Sequence, residues 1–296
     1  MTNQVTTPSV NLMEANEQWR SRPADQRFET LAALREAVNS RRMRSRSVDI
    51  DCTRLSIEDT GSTLLINSQI TPCEPSHWAF GQLSTLIKAP ANYLRSLPRP
   101  LLTQCLQHGL SNGERDAVKF MTVASEDEKP NALQAVTSTT YGRIWDADVV
   151  DAVNRIVERT GGKFFSPKDR SGKPSGLYAS DHDVFAFMID GGSILDAGPR
   201  AKLNRGFIVW NSETGAKTFG LMTFLFNMVC GNHIIWGASD VNKLLIRHTS
   251  GGPYRFDSEA APMLKHYSEQ TAGPIEDTVK RATEKLLPEY KSSDDL

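Results

Sequence analysis

Three kinds of side chain in this sequence could do chemistry. The first is a thiol with an imidazole: Cys230 and His233 stand three residues apart with Asn232 between them, and a thiol nucleophile, a histidine base and an orienting amide form one acyl-transfer arrangement. Catalytic thiols and imidazoles usually come from distant segments, so this pair reads first as a buried thiol and a turn histidine. The second is His248, in LLIRHTSGG, with Glu213 or Asp190 as the acid that would orient it. Together they outline a hydrolase-like alternative built on Glu213, Cys230, His233 and His248.

The third kind is a set of cations interleaved with aromatic rings. SRRMRSRS, residues 40 to 47, carries Arg41, Arg42 and Arg44; Tyr141, Arg143 and Trp145 follow a β-rich pair; Arg200, Lys202 and Arg205 lead into Trp210; Arg247 and His248 precede Tyr254. Guanidinium and ammonium groups neutralise phosphates while rings stack on bases, the combination that single-stranded nucleic acid requires. The plainer reading makes Trp145 and Trp210 core residues, the cations solvated, and SRRMRSRS a favourable end to a helix dipole. No HEXXH, HxE with CxxC, GxGxxG or GxxxxGK[ST] pattern is present, so neither a metal nor a cofactor is expected.

The elements that must position these residues follow from the bulk of the chain. Its 296 residues are 39% hydrophobic and 23% charged, which suffices for a sizeable core without staples. With a net charge of -1, any nucleic-acid surface has to be a local patch. Cys52, Cys73, Cys105 and Cys230 are widely spaced, unlike a zinc ribbon or a disulfide scaffold. The first residues lack a basic stretch followed by an apolar one, so a cytoplasmic setting is expected. The apolar run from Phe219 to Gly237 contains Asn227, Asn232 and His233, which argues against a membrane span.

Residues 1–20 read as a loose tail. A helix with Pro23 in its first turn and Ser21 as cap carries Phe28, Leu31, Leu34 and Val38 on one face. Two short strands around the turn at Asp59 to Gly61 precede three helices, about Trp78–Ile87, Ala91–Arg95 and Pro100–Gly109. A hairpin from Ala117 leads to a helix striped by Val149, Val150, Val153, Ile156 and Val157 and ended by Gly161. Further strand pairs follow, and periodicity leaves 219–230 open between strand and helix. The whole reads as α+β: antiparallel hairpins and sheet with packed helices, helical at both ends. The main unit spans 21–260, with a sub-boundary near 110–116, then C-terminal helices over 261–290 and a tail at 291–296.

At NSETG, 211–215, and CGNH, 230–233, the chain resembles the phage/plasmid-like protein family, the domain-of-unknown-function 932 family of prokaryotic mobile elements. There an NSE-x-G turn lies shortly before a C-x-N-G turn; His233 stands where glycine is usual. YGRIWDADVVDAV, 141–153, LIRHTSG, 245–251, and GQLSTLIKAPANYLRSLP are similar to further parts of that family. The resemblance implies a phage or plasmid setting and, by association, nucleic-acid transactions.

The expectation is thus a nucleic-acid-binding protein, with single-stranded DNA binding or annealing in replication or recombination ahead of the enzyme reading. Backbone contacts would come from Arg41, Arg42, Arg44, Arg143, Arg200, Lys202, Arg205 and Arg247, and stacking from Tyr141, Trp145, Trp210 or Tyr254. Asn211, Glu213, Asn232, His233 and His248 would form a polar rim. A homo-oligomer, and a host or phage protein as partner, stay open.

Overall fold

The structure is a computed structural model that describes residues 22–61, 63–67, 72–113, 117–126, 129–168, 176–196, 202–227, 235–236 and 243–269. The fold is mixed α and β, with two antiparallel-dominated sheets and helices packed against them. Helix α1, Leu31–Arg44, begins later than the sequence suggested. Thr30 caps it by accepting from the Ala33 N–H, and Ala24–Gln26 forms only a 3-10 turn.

The first sheet runs β1-β5-β6-β4-β3-β2, from β1 (Ser45–Asp51), β2 (Ser56–Asp59), β3 (Leu64–Asn67), β4 (Cys73–Pro75), β5 (Ala117–Val123) and β6 (Asn131–Thr137). Three helices fall where the prolines divide the sequence: α2 (His77–Leu86), α3 (Ala91–Ser96) and α4 (Arg99–Ser111). β5 pairs with β1, and β6 pairs in parallel with β4. One sheet therefore takes strands from both sides of residues 110–116. Ile50, Val118, Phe120, Leu133 and Val136 bury against Ala79 and Leu83 of α2 in its core.

The second sheet is built on three long strands, β9 (Val184–Asp196), β10 (Lys202–Asn211) and β11 (Phe219–Asn227). Short strands complete its margins: β7 (Phe164–Phe165) and β8 (Leu177–Ala179) on β9, β12 (Ile235–Trp236) and β13 (Lys243–Ile246) on β11. Residues 219–227 are thus a strand, and its lack of periodicity has a physical cause. Phe219 and Leu221 bury in one apolar cluster while Met222 and Phe224 bury in another, so neither face of the strand carries a polar alternation.

The first of those clusters joins the sheet to α1, to α5 (Asp146–Arg159) and to α7 (Ala261–Glu269), which continues α6 (Gly252–Arg255) through a π-helical turn. The predicted stripe of α5 is buried at Val149, Val150, Val153 and Ile156, with Val157 at its margin, and Gly161 ends it at φ +63°. None of the described helices is long and apolar enough to cross a membrane.

Candidate functional site

The turn between β10 and β11 is NSETG, and it is among the least exposed stretches of the chain. Asn211 and Ser212 are 0% exposed, Thr214 2% and Glu213 4%. Gly215 adopts φ +84°, and its N–H closes the turn on the Ser212 carbonyl at 3.2 Å. The Ser212 hydroxyl accepts from the Ala216 N–H at 2.9 Å and donates to the His182 carbonyl at 2.6 Å. The Thr214 carbonyl accepts from Gln82 Nε2 at 2.8 Å and Trp78 Nε1 at 3.0 Å, both on α2. A turn of the second sheet is thus fastened to the helical layer of the first.

The acidic member of this turn caps a helix far away in sequence. Trp145, at the N-cap of α5, offers no side-chain acceptor. Glu213 supplies one: its Oε1 accepts from the Asp146 N–H at 2.7 Å, and its Oε2 accepts from Arg143 Nε at 2.7 Å and from Arg143 Nη2. A carboxylate at that end complements both the open N–H groups and the helix dipole. Asn211 completes the clasp, its Nδ2 donating to the Ile144 carbonyl at 2.8 Å and to Asp146 Oδ1 at 2.7 Å. Burial, then the nearby charge of Glu213, pushes the Asp146 carboxyl well above the usual carboxylate range. Asp146, 1% exposed, is the residue that sequence reasoning missed. WDADVV reads only as an acidic helix start, and no local signal reveals its depth.

The residues expected at the polar rim lie in different surroundings. Glu213 is committed to three hydrogen bonds in the interior, so it is not an acid open to a substrate. His248 is half-buried, stacks on Tyr141 with centroids 5.2 Å apart, and lies 3.2 Å through Nδ1 from the Gly142 carbonyl. Burial lowers its pKa. Asn211 is interior rather than at a rim. Cys230, Asn232 and His233 lie outside the described residues. Among those described, no group of three His, Cys, Asp or Glu side chains could hold a metal ion.

The cations divide sharply. Arg205 is 1% exposed and pairs with the fully buried Asp190 at 2.8 Å, its guanidinium also 5.3 Å from the Tyr267 ring. A register shift between Asn204 and Gly206 in the β9–β10 pairing marks a bulge at this residue. Arg205 therefore cannot grip a backbone at the surface, a correction to the expectation. Arg143, its side chain 7% exposed, is likewise taken up by Glu213 and sits 3.6 Å over the Trp145 ring. Arg42 bridges to Asp148 of α5 and also lies over Trp145, while Arg44 reaches Glu126 and the Ala124 carbonyl. Trp145 thus carries guanidinium groups, and Trp210 covers Gly220, where a Cβ would come within 2.0 Å of the indole. Neither ring is presented for stacking. Arg200 lies outside the described residues, as does the Lys202 side chain.

Three of these segments meet in one region. Arg143 Nη1 reaches Ser47 of the β1 edge at 3.3 Å. The Gly142 N–H donates to the His248 carbonyl at 3.2 Å, and Gly142 lies so close to the later turn that a Cβ would sit 1.9 Å from the Thr249 carbonyl and 2.9 Å from Pro253. Lys119 of β5 donates to the Tyr141 carbonyl at 3.0 Å. Segments 41–47, 141–145 and 247–254, far apart in sequence, meet around Gly142. On these segments Arg46, Arg247 and Tyr254 are exposed, the last 76% exposed, with Arg46 on the face of β1 opposite to Ser45 and Ser47. The charge of Arg41 reaches Asp146, where it opposes the rise caused by burial, and Asp181, whose carboxyl is lowered chiefly by its bond to His182.

No family model, curated protein or solved structure matches the chain. The resemblance to the phage/plasmid-like family rests on its motifs alone.

Proposed function

We propose that this chain binds nucleic acid, single-stranded DNA above all, in the replication or recombination of a phage or plasmid element, without covalent catalysis. The observation that carries the reading is the convergence around Gly142 of three basic segments, 41–47, 141–145 and 247–254, the last two bearing aromatic rings. Arg46 and Arg247 supply cations that make no ion pair among the described residues, and Tyr254 supplies a ring open to a base. Arg41 adds positive field beside them. Arg205, Arg143, Trp145 and Trp210 drop out of the interface and become the scaffold beneath it. A cytoplasmic setting and assembly of several copies along a strand belong to the same proposal.

The test is a titration of labelled single- and double-stranded DNA at several salt concentrations, with wild type and an Arg46→Ala, Arg247→Ala double variant. Each lost contact to a single strand should reduce the slope of log affinity against log salt by about 0.7, so the pair should flatten it by about 1.4. Preference for single strands with that flattening supports the reading. A slope unchanged in the double variant, or no binding at low salt, overturns it.

A further inference from the structure

Strand β1 ends the first sheet and pairs with β5 alone among the described strands. One bond fixes the direction of its backbone groups. The Ala124 N–H donates to the Arg44 carbonyl at 3.0 Å, so in the register that joins Ser45 to Val123 the even residues of β1 bond to β5. Ser47 and Asp49 therefore turn their N–H and carbonyl groups outward. Those groups meet no described partner, and Arg46, Ser47, Val48 and Asp49 are all exposed.

Unpaired amides along a strand are a template for another strand, and the side chains of β1 fit that strand to be its own copy. The Ser47 hydroxyl accepts from Arg143 Nη1 at 3.3 Å and gives its own proton to no described group. A carboxylate arriving opposite it would accept that proton, with a guanidinium behind. Asp49 lies on the same face of β1 and makes no ion pair among the described residues. About a twofold axis at Val48, Ser47 of each copy faces Asp49 of the other. Neighbouring registers are worse. Sliding one way sets Asp49 against Asp49, and like charges directly opposite repel. Sliding the other way needs the Ser45 N–H, which the Arg42 carbonyl already holds.

We propose that β1 is a self-association edge: two copies of this chain pair antiparallel through it, about a twofold axis at Val48, and their first sheets become one. Ser47 and Asp49 exchange backbone bonds across the axis, and Val48, 37% exposed, packs on its own copy. The contact is isologous, so it closes at the dimer. Its shortness makes the dimer weak and concentration-dependent. The inference stands apart from the nucleic-acid reading, because it is tested without DNA.

The experiment is sedimentation velocity of the full chain, with wild type passing from monomer to dimer as concentration rises from micromolar towards millimolar. Asp49→Pro removes one outward N–H and the carboxylate but no bond to β5, since proline suits an edge whose N–H faces water. It should weaken the dimer about tenfold or more while circular dichroism and melting temperature hold. Val48→Cys reads the register. Opposed Cα atoms of such a pair lie about 4.5 Å apart, within disulfide reach, so this variant should cross-link in a glutathione redox buffer where wild type does not. Ser47→Cys should not cross-link, because its two copies lie about 7 Å apart across the diagonal. A wild type monomeric at every concentration, or a dimer that Asp49→Pro leaves intact, would overturn the interface. Cross-linking through position 47 rather than 48 would overturn the pairing about Val48.

Discussion

Replacing Glu213 by glutamine should unfasten the two sheets without touching their cores. The carboxylate accepts two bonds from Arg143 and one from the Asp146 N–H, with side-chain exposures of 5% for Glu213 and 7% for Arg143. Glutamine keeps one carbonyl acceptor but strands a buried guanidinium, and removing one partner of a buried pair costs about 3–5 kcal/mol. Part of that returns, since the neutral amide relieves the repulsion that raises the Asp146 pKa, by about 1 kcal/mol. The net loss should be about 2–4 kcal/mol, a fall of about 3–6 °C in melting temperature for a chain of this size. Urea denaturation of wild type, Glu213→Gln, Arg143→Met and the double variant measures it. The double variant should lose at least about 1.5 kcal/mol less than the sum of the single losses, near the middle of the range for residues in contact. A Glu213→Gln loss below about 0.5 kcal/mol, or strict additivity, would refute the clasp and return Glu213 to the list of available acids.

Other outcomes follow from neighbouring contacts. Arg205→Ala takes the guanidinium from the buried Asp190 and should cost about 3–5 kcal/mol in chemical denaturation while leaving the salt slope of DNA binding unchanged. Gly142→Ala places a Cβ 1.9 Å from the Thr249 carbonyl; it should destabilise by about 2 kcal/mol or more and weaken DNA binding by parting the segments that meet there. For Asp183, burial alone would raise the carboxyl, but Arg22, Ser180 and Lys217 outweigh it and hold it well below its usual value. A depressed carboxylate contributes stability above its unfolded pKa that is lost as pH falls, so Asp183→Asn should flatten the stability curve below about pH 4. Asp146 has the opposite sign, its contribution lost as pH rises through a raised folded value. Asp146→Asn should therefore be better tolerated at pH 8 than at pH 5 in the same denaturation assay.

The sequence by itself determined most of the local structure. Prolines and caps divide 77–111 into three helices within one or two residues of their observed ends, because a missing N–H and a serine cap act within a few residues. The α5 stripe and its glycine stop were legible for the same reason. The strand at 219–227 was not, since burial on both faces erases the alternation that identifies a strand. The candidate site shows the same division. The residue types around NSETG, YGRIW and LIRHTSG were visible as chemistry, but their surroundings depend on residues 65 to 106 positions away in the chain. Glu213 meets Arg143 and Asp146, and Gly142 meets His248, only after α5 packs against the second sheet. Only tertiary structure turned Arg143 and Arg205 into interior cations and left Arg46, Arg247 and Tyr254 outside, because burial and pairing are properties of the packed chain.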